Sequence, residues 1–203
     1  FMASGCVVIA SGSNYNANPE ALWANECYEK PDTTNSQIGS SFEMHFLDFY
    51  DAGTEKWAYY IVSKADGDLA IGRARTTDGI TFINDGIVLD TSPSGWDDRM
   101  VSFPSIWKDG STFYLVYEGA DHAGTWVGSI GLATSTDGVH FTKQGIILNG
   151  DQASTWESVN VGTPDLFKVG NTWYLTYHGY NGTDCQVGLA TGTSLTSLNK
   201  YAN

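Results

Sequence analysis

Apolar residues in this chain come in short runs, and polar residues and glycines break them at close intervals. Trp57-Ala58-Tyr59-Tyr60-Ile61-Val62, Phe113-Tyr114-Leu115-Val116-Tyr117 and Trp173-Tyr174-Leu175-Thr176-Tyr177 are typical. Each run is rich in aromatic and β-branched side chains, which suit a pleated, half-buried surface. No stretch carries the three-to-four-residue spacing of an amphipathic helix over any length. The pattern predicts an all-β protein.

The runs repeat. The stretch from Trp96 to Gly119 aligns without a gap with that from Trp156 to Gly179, 60 positions on. Trp, an acid, Pro, Lys, Gly, an aromatic-Tyr-Leu run, Tyr and Gly coincide. A third copy lies upstream, where Phe46 to Gly53 is followed by Trp57 to Val62. The next strand recurs as Ile71-Gly72-Arg73-Ala74, Ile130-Gly131-Leu132-Ala133 and Val187-Gly188-Leu189-Ala190, and a fourth as Gly86 to Leu89 and Gly145 to Leu148. Asp78-Gly79 and Asp137-Gly138 supply residues that tolerate positive φ in tight turns. Four antiparallel strands per tandem unit predict β-propeller blades, with repeats at about 41–95, 96–155 and 156–203 of one domain spanning 1–203. A closed ring needs at least four blades. Three readings complete it: a longer natural chain, association of chains, or a degenerate element within 11–45. The strand Cys6-Val7-Val8-Ile9-Ala10 is expected to latch a blade, in this chain or, by exchange, in another copy. Residues 11–45 read as a long polar loop with one helical turn near Glu20 to Trp23.

Charge narrows the partners. Asp and Glu number 23 against 10 Lys plus Arg, giving a net charge of −13. Such a surface repels phosphate backbones and anionic lipid, so neither nucleic acid nor membrane is an expected partner, and carbohydrate is. The three cysteines, Cys6, Cys27 and Cys185, show no metal-ligand spacing, and no metal or cofactor is expected. No apolar stretch is long enough to span a bilayer. The start at Phe1 reads as a mature or trimmed end, and Asn181-Gly182-Thr183 is a glycosylation sequon. Together these give a weak expectation of an extracellular, secreted protein.

Residues 41–203 resemble the superfamily of five-bladed β-propeller glycosidases, which includes the arabinanases and β-xylosidases, the invertase and levanase group, and the mannoside phosphorylases. The resemblance rests on the strand starts Pro104-Ser105-Ile106 and Pro164-Asp165-Leu166-Phe167, on the aromatic-Tyr-Leu-x-Tyr second strands, and on the hairpin from Gly131 to Phe141. Glu157 to Pro164 running into Trp173 to Gly179 is similar to the mannoside phosphorylase pattern. The sequence departs from the family at its acids. Gly162 stands where the invertase motif has its acid, Ser102-Phe103-Pro104 has none where that group has Arg-Asp-Pro, and Leu47-Asp48 lacks the proline of the arabinanase Asp-Pro.

Cleavage of a glycosidic bond needs a carboxylic acid to protonate the leaving oxygen and a carboxylate to attack or to activate water. The candidates are Glu157 as proton donor with Asp48 or Asp98 as base. Asp97 shares Glu157's repeat position directly after a tryptophan, and that repetition equally suits a structural acid. Trp96 and Trp156 are candidates for stacking on sugar rings or for capping the layer between blades. Arg99 has no counterpart in the other copies and suits a substrate hydroxyl, carboxylate or phosphate. His45 precedes the first inner strand. His178 shares a repeat position with Glu118 and is placed to donate to a sugar hydroxyl or to be held structurally. The expected function is a secreted glycoside hydrolase. The alternatives are a non-catalytic sugar-binding or structural propeller and a phosphorylase, the latter hinted at only by Arg99.

Overall fold

The computed structural model describes residues 45–79, 81–124, 128–151, 153–154 and 156–201. The candidate latch strand Cys6–Ala10 and the loop 11–45, apart from the backbone of His45, lie outside them.

Within these residues the chain forms twelve strands. The first unit is β1 (His45–Asp51), β2 (Lys56–Ser63), β3 (Leu69–Thr76) and β4 (Ile83–Leu89). The second is β5 (Met100–Asp109), β6 (Thr112–Ala120), β7 (Ser129–Ser135) and β8 (Thr142–Asn149). The third is β9 (Asn160–Val169), β10 (Thr172–Tyr180), β11 (Cys185–Gly192) and the short β12 (Asn199–Lys200). Each unit is an antiparallel meander, its strands pairing in chain order. A single parallel bridge, Leu69 to Met100, joins the first two units.

Register shows that the units superpose residue by residue on their inner strands. Asp48, Ser105 and Asp165 lie opposite Tyr59, Val116 and Thr176, and His45, Ser102 and Gly162 lie opposite Ile61, Glu118 and His178. Between these two levels every inner strand bulges, at 46–47, 103–104 and 163–164. Pro104 and Pro164 sit inside the bulges, where a missing N–H costs no ladder bond. Phe103 and Thr163, just before them, have φ of 50° and 42°. That conformation is costly for non-glycine residues and is held by the surrounding sheet.

Two core clusters join neighbouring units, and a third, around Tyr60 and Phe82, lies within the first unit. Trp96 stacks on Tyr117 with ring centroids 5.6 Å apart, and Trp156 on Tyr177 at 5.8 Å. A Cβ on Gly119 or Gly179 would come within 2.2 or 2.3 Å of the matching indole, so glycine at both positions is what lets the tryptophan lie flat. Units also interlock at their turns. Tyr59 donates to the Gly138 carbonyl at 2.8 Å, and the Arg73 guanidinium lies 4.4 Å over the Trp57 ring beside it.

Candidate active site on the inner strands

Two levels of polar side chains line the inner strands. On the lower level, one Asp48 oxygen accepts the Ile106 N–H of the next unit at 2.7 Å, and the other accepts Phe49 N–H at 2.8 Å. Ser105 repeats the arrangement one unit on, its Oγ accepting Leu166 N–H at 3.0 Å. The Ser105 hydroxyl in turn faces Asp165 Oδ1 at 3.5 Å. Burial raises the pKa of both Asp48 and Asp165, opposed at Asp48 by the Ile106 and Phe49 N–H groups and at Asp165 by Ser105.

The upper level holds a group that sequence patterning did not nominate as catalytic. Glu118, near the end of β6, is 4% exposed. Its Oε2 accepts Thr163 N–H across the unit boundary at 2.9 Å. The outward turn of the backbone at Thr163 is what aims that N–H. Burial pushes the Glu118 carboxyl up to about 7, and the Thr163 bond only partly opposes it. Thr163 Oγ1 lies 2.7 Å from His178 Nδ1, and burial lowers the His178 pKa. Thr163 thus joins Glu118 to the residue at the same repeat position in the next unit.

The other nominated residues lie elsewhere. Glu157, expected as proton donor, is 3% exposed and held by two partners: Lys200 Nζ at 2.5 Å from Oε1 and the Tyr177 hydroxyl at 3.0 Å from Oε2. Asp97 is held the same way by Lys143 at 2.7 Å and Tyr117 at 3.0 Å. The repeated acid is a repeated ion pair joining the loop before a unit to its second and fourth strands. Trp96 and Trp156 are packed into the same layer. Asp98 accepts His122 N–H at 2.8 Å, and His122 Nε2 meets Asp68 at 3.0 Å. Arg99 donates to the Asp121 carbonyl at 3.1 Å. These last groups form a polar cluster on the loops of the first two units, and the contacts they make do not include Glu118, Asp48 or Asp165. The His45 side chain lies outside the described residues. Of the nominated residues whose side chains are described, Asp48 and His178 stand on the two levels, and the backbone of His45 shares the upper one by register. Among the described residues, no three His, Cys, Asp or Glu side chains gather in a metal-holding group.

A buried carboxyl raised to about 7, a hydroxyl and an imidazole at one level, with two further carboxyls below, can exchange protons and hydrogen bonds with a bound polar molecule. Solved structures share this chain's architecture. A family 117 glycoside hydrolase from the marine bacterium Zobellia galactanivorans superposes with a TM-score of 0.64 at 16% identity, over 79% of this chain and 58% of that one. The fold is that of the β-propeller glycosidases. A thermostable family 43 glycoside hydrolase gives 0.63 at 18% identity, over 77% and 53% of the two chains. The Bombyx mori family 32 β-fructofuranosidase gives 0.62 at 18% identity, over 79% and 37%. The propeller therefore spans little more than half the length of the first two and less of the third. No protein-family model matches the sequence, and neither does any curated protein.

The missed residue left a trace. Glu118 and His178 were visible as one repeat position bearing two functional side chains, and Gly162 as the place where the expected acid was missing. Only the fold puts these two facts in one spot.

Proposed function

We propose that this propeller is a carbohydrate-active protein that cleaves glycosidic bonds by hydrolysis, with Glu118 rather than Glu157 as the proton donor. The observation that carries the reading is the Glu118 carboxyl itself. It is buried, no cation pairs with it among the described residues, and it is raised to about 7, so about half of it carries a proton at neutral pH. A general acid works best when its pKa lies near the operating pH. Glu157 is instead engaged by Lys200 and by the Tyr177 hydroxyl.

Asp165 is the proposed carboxylate partner. Among the described residues its side chain meets the Ser105 hydroxyl, whereas both oxygens of Asp48 are occupied by backbone N–H groups. Asp165 follows Thr163 by two residues on β9, so it stands on the same inner strand whose Thr163 N–H meets Glu118. The substrate is taken to be a polysaccharide or its oligomers outside the cell, consistent with the charge of −13. Hydrolysis of a panel of neutral oligosaccharides, compared between wild type, Glu118→Gln and Glu157→Gln, tests the assignment. Loss of about 10²–10⁴-fold in kcat for Glu118→Gln alone is expected. Unchanged turnover in that variant overturns it.

A second reading is non-catalytic sugar binding. It is favoured by Phe46, Phe103 and Thr163, which put no acid at the three equivalent bulges. Calorimetric binding of an oligosaccharide with no product released would establish it.

A further inference from the structure

Ser102 lies directly opposite Glu118 in the β5–β6 ladder, so the two side chains stand on the same face of the sheet. Ser102 is fully buried, and among the described residues its Oγ has no hydrogen-bond partner. A buried hydroxyl is almost always satisfied, because stripping it of water without a replacement is costly. Among the described residues, Glu118 makes one hydrogen bond, through Oε2 to Thr163 N–H, which leaves Oε1 open. An unsatisfied hydroxyl and an unsatisfied carboxyl oxygen thus project from directly paired residues of neighbouring strands. Two polar partners are the minimum that holds an internal water.

We propose that Ser102 is a positioning residue for Glu118, acting through one buried water that bridges Ser102 Oγ and Glu118 Oε1. The bridge does two things. It fixes the carboxyl rotation together with the Thr163 bond, so that the group has one orientation. It also supplies a donor to Oε1 when Glu118 is ionised, which limits how far burial drives the carboxyl toward permanent protonation. Around Glu118, Ser102 on β5, Ile130 on β7, and Gly162 and Thr163 on β9 are uncharged. The titratable group linked to it is His178 on β10, through Thr163. The bridge is therefore the main polar influence on Glu118 besides the Thr163 amide. This inference rests on Glu118 being the acid of the proposed function, but its test does not need turnover.

The test is a carbon-13 NMR titration of the Glu118 carboxyl in the wild type and in Ser102→Ala, with Glu118→Gln used for assignment. The Ser102→Ala change is expected to raise the midpoint by about one unit, a roughly tenfold shift in protonation equilibrium. If turnover is found, the basic limb of its pH profile moves with it. A midpoint that is unchanged or lowered in Ser102→Ala overturns the proposal. So does a high-resolution crystal structure in which no ordered water touches both Ser102 and Glu118. A shifted midpoint in a protein that hydrolyses no glycoside would leave the Ser102 link standing and sink the glycosidase reading instead.

Discussion

Gly162 and Glu118 compete for one volume: a Cβ built on Gly162 would lie 1.8 Å from Glu118 Oε2. The carboxylate from the second strand of one blade fills the place a side chain on the first strand of the next would take. A side chain at 162 and the Glu118 carboxyl in its present orientation cannot both be accommodated, so an acid at 162 would require Glu118 to turn away.

Gly162→Ala is expected to force Glu118 out of its seat. Overpacking of this kind costs about 1–3 kcal/mol. Thermal denaturation should show the loss, and the double variant Gly162→Ala with Glu118→Ala should recover much of it. Simple additivity of the two single changes would contradict the shared volume.

Glu118 also makes stability depend on pH. Its folded pKa of about 7 lies above its ordinary value of 4.5. The unfolded chain therefore binds fewer protons than the folded one between those values, and stability falls as pH rises through that window. The full effect is roughly 3 kcal/mol. Asp48 and Asp165, also raised, add slope of the same sign. His178, whose pKa is lowered by burial, acts oppositely, costing stability as pH falls below the ordinary histidine value. Urea unfolding from pH 4.5 to 8 should give a flatter curve for Glu118→Gln than for wild type. Parallel curves would count against the buried carboxyl.

The pair of Asp97 and Lys143 holds a loop to two strands of its blade. Lys143→Ala leaves Asp97, 1% exposed, with the Tyr117 hydroxyl as its one side-chain partner among the described residues. Stranding a buried charge costs about 3–5 kcal/mol, and denaturant titration should find a loss of that order. Lys143→Ala with Asp97→Asn should restore part of it.

Ser105→Ala removes the acceptor for Leu166 N–H and the partner of Asp165. Leaving a buried N–H unsatisfied costs about 1–3 kcal/mol. Hydrogen exchange at Leu166 should quicken more than at strand amides further out in the same blade. Equal protection in the variant would show that the contact between blades does not depend on this hydroxyl.

The all-β class and the strand boundaries were legible because the alternation of apolar and polar residues and the repeated glycines are local signals. The inward-facing Trp57, Tyr117 and Tyr177 carry the pattern plainly. The site was less so. Asp97 and Glu157 stood out because acids after tryptophans are conspicuous, yet their partners, Lys143 and Lys200, lie more than forty residues on, and only folding pairs them. Glu118 hid at the end of a strand whose other residues are core. Its chemistry comes from burial and from a bulge in a neighbouring blade, and neither is written in its own neighbourhood.

The row of Asp48, Ser105 and Asp165 has a consequence for how the molecule loses structure. Asp48 reaches to Ile106 and Ser105 to Leu166, each one blade forward. Couplings of this kind act only between adjacent units, as in a one-dimensional lattice. Damage at one latch should weaken its own junction strongly and the next one faintly. Unfolding would then travel as a front from blade to blade, and its cooperativity would be set by the weakest junction rather than by the size of the whole.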